Sequence, residues 1–108
     1  MTREEMQALV KEVLREIVEA QSVELPPEGI TGELHLIGSK SPLDSMAFVM
    51  LTAGIEQRLS EQMDLSITIV NEKAMSLRHS PFRTVDTLAD YVLELMREAQ
   101  GGTGGGAP

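Results

Sequence analysis

The sequence predicts an all-α protein, a four-helix bundle of three long helices and one short helix, with a long loop between the first and second helices. Three observations predict it. Apolar residues recur at the three-four spacing of an amphipathic helix in separate stretches near the start, middle and end of the chain. Helix-breaking residues gather between the first two stretches, at Pro26, Pro27, Gly29, Gly32, Gly38 and Pro42. Hydrophobic residues make up 42% of the chain but aromatic residues only 3%, with no Trp. Such a core must be built from Leu, Ile, Val, Met and Ala, which suits packed helices. A long connection early and short ones late fit a bundle with one crossover.

The first helix is read from Met6, Leu9, Val10, Val13, Leu14, Ile17 and Val18, all on one face. Thr2 and Glu5 have the spacing of a capping box at its start. Glu4, Glu5, Lys11, Glu12, Arg15, Glu16 and Glu19 fill the solvated side. From Gln21 to Asp44 the chain is a long connection, with Leu34, Leu36 and Ile37 expected to tuck into the core. Long loops in compact domains are often functional, and this one delivers the chain to Asp44 and Ser45.

A second helix is expected from about Ser45 to Gln62, with Ser45 or Asp44 as its cap. Its first turns, Met46-Ala47-Phe48-Val49-Met50-Leu51, are apolar nearly all round. Phe48, Leu51, Ile55 and Leu59 form one stripe, which suits the core. Met46, Ala47 and Met50 lie on another face and need a separate explanation. From Met63 to Val70 apolar and polar residues alternate, as at Leu65, Ile67 and Ile69. With no partner strand elsewhere, this reads as an extended loop burying alternate residues. Asn71 is placed to cap the short helix, through Met75 or Leu77, before Ser80-Pro81 interrupts the chain. Thr84 then caps the last helix, which buries Val85, Leu88, Ala89, Val92, Leu95 and Met96. The chain has 108 residues, enough for one domain. We expect that domain over 1–99 and a disordered Gly-rich tail over 100–108.

Charge narrows the function classes. The formal net charge is -8. No basic footprint for nucleic acid is present, and anionic membrane surfaces should repel the chain. No apolar run approaches membrane-spanning length, so no membrane insertion is expected. The first residues, Met1 to Glu5, lack the apolar stretch of a signal peptide. Cysteine is absent, which fits a reducing, cytoplasmic setting and excludes chemistry on a thiol of the chain itself.

The residues that point to a function are Ser41-Pro42-Leu43-Asp44-Ser45-Met46, after Leu36-Ile37-Gly38. The Asp-Ser-Met triplet at the start of the second helix resembles the attachment motif of acyl carrier proteins. Ile55-Glu56-Gln57-Arg58-Leu59 resembles the acidic second-helix end of that family, and Phe82 to Val92 resembles the start of its last helix. The similarity runs from about Met6 to Met96. It implies a carrier that is not itself an enzyme. Ser45 would bear a covalent 4'-phosphopantetheine arm taken from coenzyme A by a phosphopantetheinyl transferase. Acyl intermediates would ride as thioesters on that arm to acyl-loading and acyl-transferring enzymes of fatty-acid, lipid or polyketide-type biosynthesis. A monomer is expected. Asp44 would help the transferase recognise the site.

The resemblance fails at one place. Fatty-acid carriers put acids just after the serine and one turn later, where this chain has Ala47 and Met50; Glu56 retains an acidic position, but Gln57 and Arg58 replace others. A carrier for a dedicated pathway is therefore expected, with Met46, Ala47 and Met50 as an apolar recognition surface. An acyl pocket is expected near Phe48, Leu51, Ile67 and Met75. Two alternatives stay open: an aminoacyl or peptidyl carrier, and an unmodified helical interaction module. A hydrolase triad from Ser45, Asp44 and His35 or His79 lacks an oxyanion loop, and His35 and His79 lack metal-ligand spacing.

Overall fold

The computed structural model describes residues 1–71 and 80–99. Among them are three helices and no named strand: α1 over Arg3–Gln21, α2 over Ser45–Met63 and α3 over Val85–Arg97. The expected short helix from Asn71 to Met75 or Leu77, His79 and the 100–108 tail lie outside the described residues.

Helix α1 starts where its side chains can satisfy its own backbone. Thr2 accepts from the Glu5 N–H at 3.1 Å, and Glu5 accepts from the Thr2 N–H at 2.7 Å, a complete capping box. Hydrogen bonding of the Glu5 carboxyl to Thr2, by the backbone N–H first and the side chain second, holds it below its ordinary value. Because the folded value is depressed, this stabilisation is present above the unfolded glutamate value and is lost as pH falls through the folded one. In an NMR titration Glu5 should therefore titrate below glutamate in the unfolded chain. A midpoint at or above the unfolded value would show that the capping box does not form.

The apolar stripe of α1 is buried from Met6 to Ile17, as its spacing predicts. It packs against both other helices. Against α2 the approach is close: a Cβ on Gly54 would stand 2.7 Å from Val13 Cγ1, and valine is stiff at that bond. Arg58 of α2 reaches back to Glu16 and Glu12 of α1, and these partners, Glu16 first, raise its pKa. Arg58, which stands where an acid was expected, thus joins two helices. On the other side Arg3 pairs with Asp90 of α3 at 2.7 Å.

Helix α3 begins under the long loop. The N–H groups of Val85 and Asp86 donate to the carbonyls of Leu34 and Gly32, and Leu36 donates to Arg83. Thr84 caps the next N–H, that of Thr87. Donors that a helix start leaves unpaired are thereby used to fasten the loop. A Cβ at Gly32 would overlap the Asp86 carboxylate, which would have to shift to admit it. Leu34 and Leu36 are buried as expected. Ile37 is not: it stays 36% exposed, because the bonds to the start of α3 end at Leu36 and the chain then turns at Gly38, where φ is +90°.

After α2 the alternating segment behaves as its pattern predicts. Leu65 and Ile67 are half-buried, Ile69 is fully buried, and the residues between them are exposed. The Ile69 N–H donates to Glu56 Oε2 at 2.8 Å. Among the described residues no helix is long and apolar enough to cross a membrane.

Candidate functional site

Asp44 and Ser45 sit where the long loop turns into α2, and the two share the work of a helix start unequally. Asp44 is the N-cap: its Oδ1 accepts from the Ala47 N–H at 2.8 Å. Ser45 is therefore the first residue inside the helix. Its side chain is exposed and makes no hydrogen bond among the described residues. The backbone N–H groups of Ser45 and Met46 also find no acceptor there, unlike the equivalent groups of α3. Unpaired donors and the helix dipole favour negative charge at this end. A phosphodiester on the Ser45 oxygen fits that setting.

Beside Ser45 lies an open cleft of about 260 Å³, lined by Leu36, Ile37, Gly38, Leu43, Asp44, Ser45, Phe48 and Val49. Its loop wall is held by a short turn. Ser41 donates its N–H to the Gly38 carbonyl at 3.1 Å, and its hydroxyl accepts from the Leu43 N–H at 3.0 Å. Its floor is held by Phe48, whose ring meets Phe82 edge-on at 5.4 Å; Phe82 in turn meets Tyr91 at 6.0 Å. Those three are all the aromatic residues of the chain.

The expected recognition face divides in the structure. Met46 is 62% exposed. Ala47 is only 2% exposed and belongs to the core, so it presents nothing to a partner. The reason is helical phase: Ala47 lies four residues before the fully buried Leu51, on the inward stripe. Met50 is half-buried in a groove against α1, with Val13, Ile17, Ala20 and Gly54. The exposed neighbour of Met46 is instead Val49, at 58%, which sequence reasoning missed. Its signal was available, since Val49 is one turn after Ser45 on the same face. Glu56 is half-buried and spends its carboxylate on the Ile69 N–H.

The expected acyl pocket is described only in part. Leu51 has no exposed surface, Ile67 is half-buried, and Met75 lies outside the described residues. Of the three described residues, Phe48 lines the cleft beside Ser45. His35 is half-buried and pairs by its backbone with Thr84. Among the described residues no three His, Asp or Glu side chains gather to hold a metal ion.

No protein-family model, no curated protein and no solved structure matched the chain.

Proposed function

We propose that the protein is an acyl carrier protein whose attachment point is Ser45. One observation carries the reading: the Ser45 hydroxyl is exposed at the first position of α2 and makes no hydrogen bond among the described residues, where Asp44 does the capping. A hydroxyl that only capped its helix would be engaged. In the modification, the Ser45 oxygen bonds to the phosphorus on the pantetheine side of coenzyme A. The bridging P–O bond breaks, 3',5'-ADP leaves with the electron pair, and a base of the transferase takes the hydroxyl proton. Once attached, the arm supplies a thiol that holds acyl groups as thioesters. Ser45 is a substrate in this scheme and the chain is not an enzyme.

The same reading includes the short helix after Asn71, which would complete a four-helix bundle, and a cytoplasmic monomer as the working form. Asp44 serves the transferase by holding the start of α2 in place and by standing next to the hydroxyl. The first acid within α2 is Glu56, already bonded to Ile69. A face of Met46 and Val49 beside Ser45 supports a dedicated partner enzyme over one with a basic docking groove. The test is intact mass after incubation with coenzyme A and a broad-specificity transferase. One added phosphopantetheine is expected; no gain refutes the carrier reading and favours an unmodified interaction module. Loading assays with acyl and aminoacyl ligases then separate acyl from aminoacyl or peptidyl cargo.

A further inference from the structure

The geometry points to a seat for the arm itself: its first, branched apolar segment lies in the cleft between the 36–43 loop and α2, so that the arm leaves Ser45 toward Ile37 and not toward Ile67. The inference rests on the carrier reading and goes beyond it, since attachment alone leaves the arm's course open.

Position comes first. Ser45 is part of the cleft wall, facing Leu36, Ile37, Leu43, Phe48 and Val49. In phosphopantetheine the carbon bearing two methyl groups follows the phosphate by only a few bonds. Any apolar contact it makes must therefore be close to the serine, and this cleft is there. Size agrees. At about 260 Å³ the cleft falls below the range of roughly 300–1000 Å³ typical of pockets for drug-sized ligands. It suits a short branched group and is too small for a long acyl chain.

Chemistry agrees as well. Ile37 and Val49 are exposed apolar side chains on opposite walls, one from the loop and one from α2. A pair of methyl groups between them would cover both. Past Ile37 and Gly38 the cleft meets a second depression, lined by His35, Ser39, Lys40, Ser80 and Arg83 and by no acid. That is unusual in a chain with 17 acids and 9 Lys and Arg. Its donors suit the hydroxyl and amide carbonyls that follow the branched carbon. Neither Lys40 nor Arg83 is ion-paired among the described residues.

The experiment uses the full chain, converted to the holo form with coenzyme A and a transferase and labelled at Ile, Leu and Val methyls. Nuclear Overhauser contacts are expected from the two arm methyls to Ile37, Leu43 and Val49. Those to Leu43 and Val49 should vanish in Ile37→Asp, at an exposed position, while the mass gain persists. Holo protein whose arm methyls touch none of these residues, or touch Ile67 instead, overturns the inference and leaves the carrier reading standing. Absence of any mass gain overturns both.

Discussion

Ser45→Ala protein incubated with coenzyme A and the transferase should keep its unmodified mass, and it should unfold at the same urea concentration as the wild type. Modification falls to nothing because the hydroxyl that would take the phosphopantetheine is gone. Stability holds because nothing is lost: the hydroxyl makes no hydrogen bond among the described residues and is exposed. Asp44→Ala should differ on both counts. It removes the acceptor for the Ala47 N–H, which costs about 1 kcal/mol at a helix N-cap, and it should slow modification without abolishing it, because Ser45 remains present for transfer. Mass spectrometry and urea denaturation of the two variants thus separate attachment from capping. A Ser45→Ala protein that still gains mass, or that loses more than about 1 kcal/mol of the kind a cap supplies, would end the assignment of Ser45.

A comparably large effect is expected at Ala47, for a different reason. A carrier with an acidic docking helix would have a carboxylate there. In this chain Ala47→Asp should lower stability by about 3 kcal/mol. The side chain is 2% exposed within the core, so an added carboxyl must be buried without a partner or must push its neighbours aside. At a slope of about 1.5 kcal/mol/M, the urea midpoint would fall by roughly 2 M. Val49→Asp, two residues on and 58% exposed, should move it by no more than about 0.5 kcal/mol. Equal midpoints for the two variants would show that Ala47 is not a core residue. In the first turns of this helix, Met46 and Val49 are the exposed apolar positions at which an acidic docking face could be built.

Much of the fold was legible because it rests on local rules. The three-four spacing from Met6 to Ile17 and from Val85 to Met96 named the buried faces of α1 and α3. Thr2 with Glu5, and Thr84, marked two helix starts, since capping depends on residues three apart. The alternation at Leu65, Ile67 and Ile69 gave the burial pattern of a segment with no regular structure. Ala47 and Val49 were misread or passed over because α2 is apolar on several faces at its start, so periodicity cannot say which face meets the core and which meets water. Ile37 was misread because the loop's bonds to the start of α3 end at Leu36 and the chain turns at Gly38. Glu56 was read as a docking position, and Arg58 as the loss of an acid there, for a related reason. Their partners, Ile69, Glu12 and Glu16, are distant in sequence.

What the sequence by itself determined is the helical class, the limits of α1, α2 and α3 to within a residue or a few, and the placing of Asp44 and Ser45 where the loop meets α2. Each of these follows from neighbours within about one helical turn, where backbone geometry dictates who meets whom. The tertiary structure alone decided that Asp44 takes the cap and leaves the Ser45 hydroxyl unengaged, and that Ala47 turns inward while Val49 turns out. It alone brought Leu36, Ile37 and Leu43 of the loop against Phe48 and Val49 beside Ser45. That arrangement depends on the loop bonding to the first N–H groups of α3, some fifty residues along the chain, a pairing that no local pattern encodes.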